Sequence, residues 1–140
     1  MLTDFFSGLN WAGVIVATLA WFGFSSVWYS LPPLSSAWAR AAGVERGEES
    51  EAPRLVTFLI PTVVFYLLAS IVIALIAEGI GADTAEEGVV LGLGLGVAFG
   101  LIQAAITQMY EGKGRLYWLI NGLNSLIAFT IVSVIIALFP

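Results

Sequence analysis

The side chains that could do chemistry in this chain are neutral ones. Gln103 and Thr107, Asn121, Asn124 and Ser125, and Ser25 and Thr62 all stand inside long apolar runs. An amide or hydroxyl in such a setting must find a hydrogen-bond partner or cost several kcal/mol. Gln103 and Thr107 are four residues apart, and Asn121, Asn124 and Ser125 fall on one helical face. Such groups either bond to one another as an interhelical cluster or line a polar cavity, open to the cytoplasm, for a neutral solute. Proton transfer, nucleophilic attack and metal ligation need other residues. There is no His and no Cys, which removes thiol chemistry and nearly every transition-metal site. Asp, Glu, Lys and Arg are missing from the interior of the apolar runs, although intramembrane charge is the usual mark of a functional site in a membrane protein. The expectation is therefore no catalytic, cofactor-binding or metal-binding residue, and no enzyme.

The elements that must position these residues follow from composition. Of 140 residues, 59% are hydrophobic and only 11% are charged, against about 25% charged in an ordinary soluble domain. The mean hydropathy is +0.97. Runs over 9–29, 55–77, 88–110 and 116–139 each supply roughly the 20 apolar residues that a helix needs to cross a hydrocarbon core of about 30 Å. The predicted fold is an all-α membrane protein, a single transmembrane domain of four helices with lipid as its solvent. Residues 1–10 carry no Lys or Arg and so lack the basic start of a signal peptide, and the first helix is expected to stay in the mature protein.

Charge sets the expected orientation. Arg40, Arg46 and Arg54 surround the first loop, and Lys113 and Arg115 lie in the third. The second loop holds only Glu78, Asp83, Glu86 and Glu87, and the N-terminal tail only Asp4. Cytoplasmic loops carry the Lys and Arg excess, so both termini are predicted to lie outside the cell membrane. Trp28, Tyr29, Tyr110, Tyr117 and Trp118 would sit at the cytoplasmic interface, and Phe5, Phe6 and Trp11 at the outer one. The net charge of −5 argues against nucleic acid, which calls for basic stripes.

Within the first loop, Pro32 and Pro33 stop the helix. Leu34, Trp38 and Ala41 then recur at helical spacing, which predicts a short interfacial helix over 34–42. Pro61 predicts a kink in the second helix. The third run holds Gly88, Gly92, Gly96 and Gly100 every four residues, continued by Ala104. This face without side chains predicts close helix approach. Two partners fit it: the first helix of the same chain, through Gly13, Ala17 and Ala20, or another subunit.

Asn10–Trp11, the ending Trp28–Tyr29–Ser30, Trp38, Ala42–Gly43, the Gly-rich third run, Tyr110-Glu111-Gly112-Lys113 and Tyr117-Trp118-Leu119-Ile120 follow one another at recognisable intervals. Together they resemble the domain-of-unknown-function family 1761, small four-helix prokaryotic membrane proteins. The resemblance covers nearly the whole chain and implies no activity, so it carries over no catalytic residue. The leading expectation is a structural or accessory component that assembles through helix packing, as a homo-oligomer or with a larger membrane-protein partner. The alternative is an oligomeric channel or transporter for a small neutral solute.

Overall fold

The computed structural model describes residues 2–31, 37, 40 and 55–139. Among them the chain is helical and holds no strand. A short helix α1 (Leu2–Ser7) precedes α2 (Trp11–Ser30). A π-helical turn at Leu55–Leu59 leads into α3 (Ile60–Ile80). Helix α4 (Ala85–Leu95), a π-helical stretch (Gly96–Ile102) and α5 (Gln103–Tyr110) run on as one rod, and α6 (Arg115–Leu138) follows. Four of these segments, Trp11–Ser30, Thr57–Ile80, Ala85–Tyr110 and Arg115–Leu138, are long and apolar enough to cross a membrane. The interfacial helix expected over 34–42 lies outside the described residues apart from Ala37 and Arg40.

The helix ends differ from the hydrophobic runs by a few residues, because capping rather than hydropathy sets them. Asn10 caps α2, its Oδ1 accepting from Gly13 N at 3.2 Å. Helix α4 starts at Ala85 rather than Gly88. Thr84 Oγ1 accepts from Glu87 N at 3.2 Å and Glu87 Oε2 accepts from Thr84 N at 3.1 Å, a reciprocal capping box. Acidic residues also suit a helix N-terminus, so the charged turn joins the helix. Helix α3 runs on to Ile80 and stops at Gly81, whose φ of 71° is open to glycine at little cost. Pro61 sits in the first turn of α3, next to the π-turn. Its missing N–H thus falls where the hydrogen-bond register changes, not in the interior of a helix.

The fourth span is the hub, packing against the first, second and third. The glycine row faces it. Added Cβ atoms at Gly88, Gly96 and Gly100 would come within 2.7 Å of Val134 Cα, 2.9 Å of Leu126 Cα and 2.8 Å of Ser125 Cβ, and one at Gly92 would fall on Thr130 Cα. This corrects both partners expected for the row. Helix α6 occupies it in place of the first helix, and the buried glycines are not available to another subunit. The physical reason is the tight loop after Tyr110, which makes α5 and α6 adjacent antiparallel neighbours. Gly13 meets Phe139 instead, at 2.6 Å for an added Cβ. Ala104 follows the π stretch and is half-buried.

The π stretch shifts this seam. From Gly88 to Gly96, every four residues on the third span match four on α6, at Val134, Thr130 and Leu126. From Gly96 to Gly100, the contact advances only from Leu126 to Ser125. A π-turn holds more residues than an α-helical turn, so over this stretch the third span advances more slowly along α6.

On the other side of α6, Val14, Ala17, Trp21, Ile73, Ala74, Ala128 and Val132 form the apolar core with α2 and α3. Trp21 stacks on Tyr66 with ring centroids 4.7 Å apart and meets Phe129 at 5.4 Å. This aromatic layer joins the first, second and fourth spans near their middles.

Candidate functional site

Two polar regions lie on opposite sides of the aromatic layer. One end of the bundle carries the loop from Glu111 to Gly114 and the end of α2, and is the basic end. The other carries α1 and the turn from Gly81 to Thr84, and is the acidic end.

At the basic end, α2 brings Ser25 and Tyr29 one helical turn apart, and α6 brings Asn121 and Asn124 opposite them. Asn124 and Ser25 are both buried. Asn124 Nδ2 donates to Ser25 Oγ at 3.3 Å, and the Ser25 hydroxyl lies 3.5 Å from Asn124 Oδ1. Tyr29 Oη donates to Asn121 Oδ1 at 2.7 Å, and Asn121 Nδ2 donates to Gln108 Oε1 at 3.4 Å. The result is a neutral hydrogen-bond ladder tying α2, α6 and α5 together. It can orient helices and exchange bonds with a neutral solute, but it holds no carboxylate, imidazole or thiol.

Of the seven polar residues singled out in the sequence, three belong to this ladder: Ser25, Asn121 and Asn124. The other four stand apart. Thr62 Oγ1 donates to the carbonyl of Phe58 within its own helix. Ser125 lies against Gly100 in the glycine seam. Gln103 and Thr107 are exposed on the outer surface of the third span, joined to each other by a 3.1 Å bond from Nε2 to Oγ1. Tyr29 was read only as an interfacial anchor, although its position four residues after Ser25 is the signal that puts it in the ladder. Gln108 joins it through α5.

At the acidic end, α2, α3 and α6 converge around a cavity of about 260 Å³. Its walls are Ala74, Ala77 and Ile136, and its rim includes Asn10, Glu78 and Asp83. An added Cβ at Gly8 would fall on the Glu78 carboxylate, so the absence of a side chain there leaves that carboxylate its place. Asp4, Glu78, Asp83, Glu86 and Glu87 stand at this end, and among the described residues no Lys or Arg does. Sequence reading used these residues only to orient the chain. The cavity itself is invisible there, because it forms between small residues of three separate helices.

The fold and these two regions define an all-helical protein with four helices long and apolar enough to span a membrane, knit by a neutral polar ladder at one end. Residues 12–137 match the family described as a protein of unknown function, DUF1761, and the chain belongs to that family. No curated protein and no solved structure matches it.

Proposed function

We propose that this is a small integral protein of the cell membrane, with both termini outside, which acts as a structural or accessory component and assembles through its helices. The observation that carries this reading is the exposed pair Gln103 and Thr107. Gln103 lies seven residues before Tyr110 at the end of its rod, about 10 Å along it at 1.5 Å per residue, and Phe99, Ile102 and Ile106 around it are exposed. With the rod placed across a bilayer, this amide sits in hydrocarbon. The bond to Thr107 satisfies one of its donors; its other N–H and its carbonyl have no partner among the described residues. An amide in lipid seeks a partner on another helix, and two copies of Gln103 offer each other a donor and an acceptor.

The glycine row no longer supports such assembly, since α6 fills it. A solute path through one chain has less to support it, because Trp21, Tyr66 and Phe129 pack together between the first, second and fourth spans. The reading assigns no enzymatic activity.

The chain has no cysteine, which makes the test direct. Single cysteines placed at Gln103 and at Val64 on α3, exposed on another face, are oxidised in native membranes. A disulfide-linked dimer from the variant at 103 and none from that at 64 is the expected result, and native mass spectrometry of wild type would show a discrete oligomer or a stoichiometric foreign subunit. A monomer in lipid patches, unchanged by Gln103→Leu, would overturn the reading.

A further inference from the structure

The geometry points to the cavity at the acidic end as a binding site for an organic ammonium group, with the ligand's apolar part against Ala74, Ala77 and Ile136 and its positive nitrogen at the Glu78 carboxylate. The site lies across the aromatic layer from the polar ladder and does not depend on how copies assemble.

Three features converge on this class of ligand. The first is the space. About 260 Å³ in a half-open cleft bordered by the ends of three helices lies just under the usual range for small-molecule pockets, and suits a ligand of modest size. The second is the lining, which is apolar in its depth and acidic at its rim. Glu78 and Asp83 stand over a wall of alanines and Ile136, so an amphiphile enters apolar part first and keeps its charge at the mouth. The third is the field. Glu78 and Asp83 are the charged residues that line the cavity, with no Lys or Arg among its lining, and a site lined by one sign of charge over low-dielectric walls concentrates the opposite charge.

The same residues disfavour an inorganic cation. A calcium or magnesium site needs several oxygen ligands converging on one point, and among the described residues no three acidic side chains do so. A neutral ligand would leave the charge of the carboxylate rim uncompensated.

The test uses the full chain in nanodiscs of phosphatidylglycerol, with empty nanodiscs as the blank and equilibrium dialysis of labelled 2-phenylethylammonium as the readout. Saturable binding is expected, with the neutral 2-phenylethanol binding about tenfold or more weakly, the order expected from one charge contact at a partly wet site. Glu78→Gln is expected to reduce affinity for the ammonium by a similar factor. Glu78 is exposed, so this variant keeps its helical circular dichroism and thermal transition. Equal affinity for the ammonium and the alcohol would overturn the proposal. So would equal ammonium affinity in wild type and Glu78→Gln, or no binding above empty nanodiscs. Adding phosphatidylethanolamine then separates two sources of the same chemistry. Displacement of the probe assigns the site to a lipid headgroup amine, and undiminished binding assigns it to a soluble amine.

Discussion

At the basic end, Tyr29, Asn121 and Gln108 carry hydrogen bonds across three helices, and Ser25 and Asn124 complete a second rung. At the acidic end, Glu78 and Asp83 stand at the rim of a cavity that no Lys or Arg lines among the described residues. The first arrangement satisfies its polar groups with one another and holds the bundle together. The second leaves its charge to something outside the chain. Polar residues of the same protein thus serve opposite ends, and the difference is whether a partner lies within hydrogen-bond reach. Buried amides that find each other are structural; carboxylates left over a cavity invite a ligand.

Substitutions can break or sharpen this contrast. The largest effect is expected in the seam that supports both ends. Gly92→Leu would drive a side chain into the backbone at Thr130 and is expected to cost about 3 kcal/mol or more, read as a shift in unfolding midpoint in a denaturing-detergent titration. Gly94→Leu is its control. It lies on the same rod with nothing within 4 Å of an added Cβ, and is expected to stay within about 0.5 kcal/mol of wild type.

Next comes the ladder. Asn124→Leu removes the partner of buried Ser25 and is expected to destabilise by about 1–2 kcal/mol. In the double variant with Ser25→Ala, the second change should cost less than it does alone, and a double-mutant cycle measures that coupling. Additive effects would dissolve the rung.

At the acidic end, the same titration applied to Glu78→Gln should move by less than about 0.5 kcal/mol, although ammonium binding falls. A loss of stability as large as that at Asn124 would make Glu78 a structural residue and erase the contrast.

A change of opposite sign is expected at Ser70 and Ser133, which are fully buried and whose hydroxyls have no hydrogen-bond partner among the described residues. Ser70→Ala and Ser133→Ala should be neutral or stabilising by up to about 1 kcal/mol, since each removes an unsatisfied buried group.

The four spans were legible because membrane thickness imposes a length, and hydropathy alone measures it. Their ends were not, because Thr84 and Glu87 cap a helix by bonds that a hydropathy window cannot register. The glycine row announced a close contact and concealed its partner. A surface without side chains accepts any helix, and the short connection to α6 was the better guide. Among the amides, spacing grouped Gln103 with Thr107 correctly but could not tell inside from outside. Both Gln103 and Gln108 are polar residues on one helix, and only the packing against α6 turns one outward and the other toward Asn121. The cavity left no trace in the sequence beyond alanines that any helix core contains.

The π stretch from Gly96 to Ile102 governs that last choice. Its wider winding acts as a phase shifter between two lengths of ordinary helix. Winding the same residues as ordinary α-helix, with none removed, would turn everything beyond the stretch by about 100° relative to what precedes. Gln108 would swing off Asn121, and Gln103 would leave the face on which it is now displayed. The winding of seven residues, lying in neither polar region, therefore sets which amide the protein keeps for itself and which it presents to its surroundings.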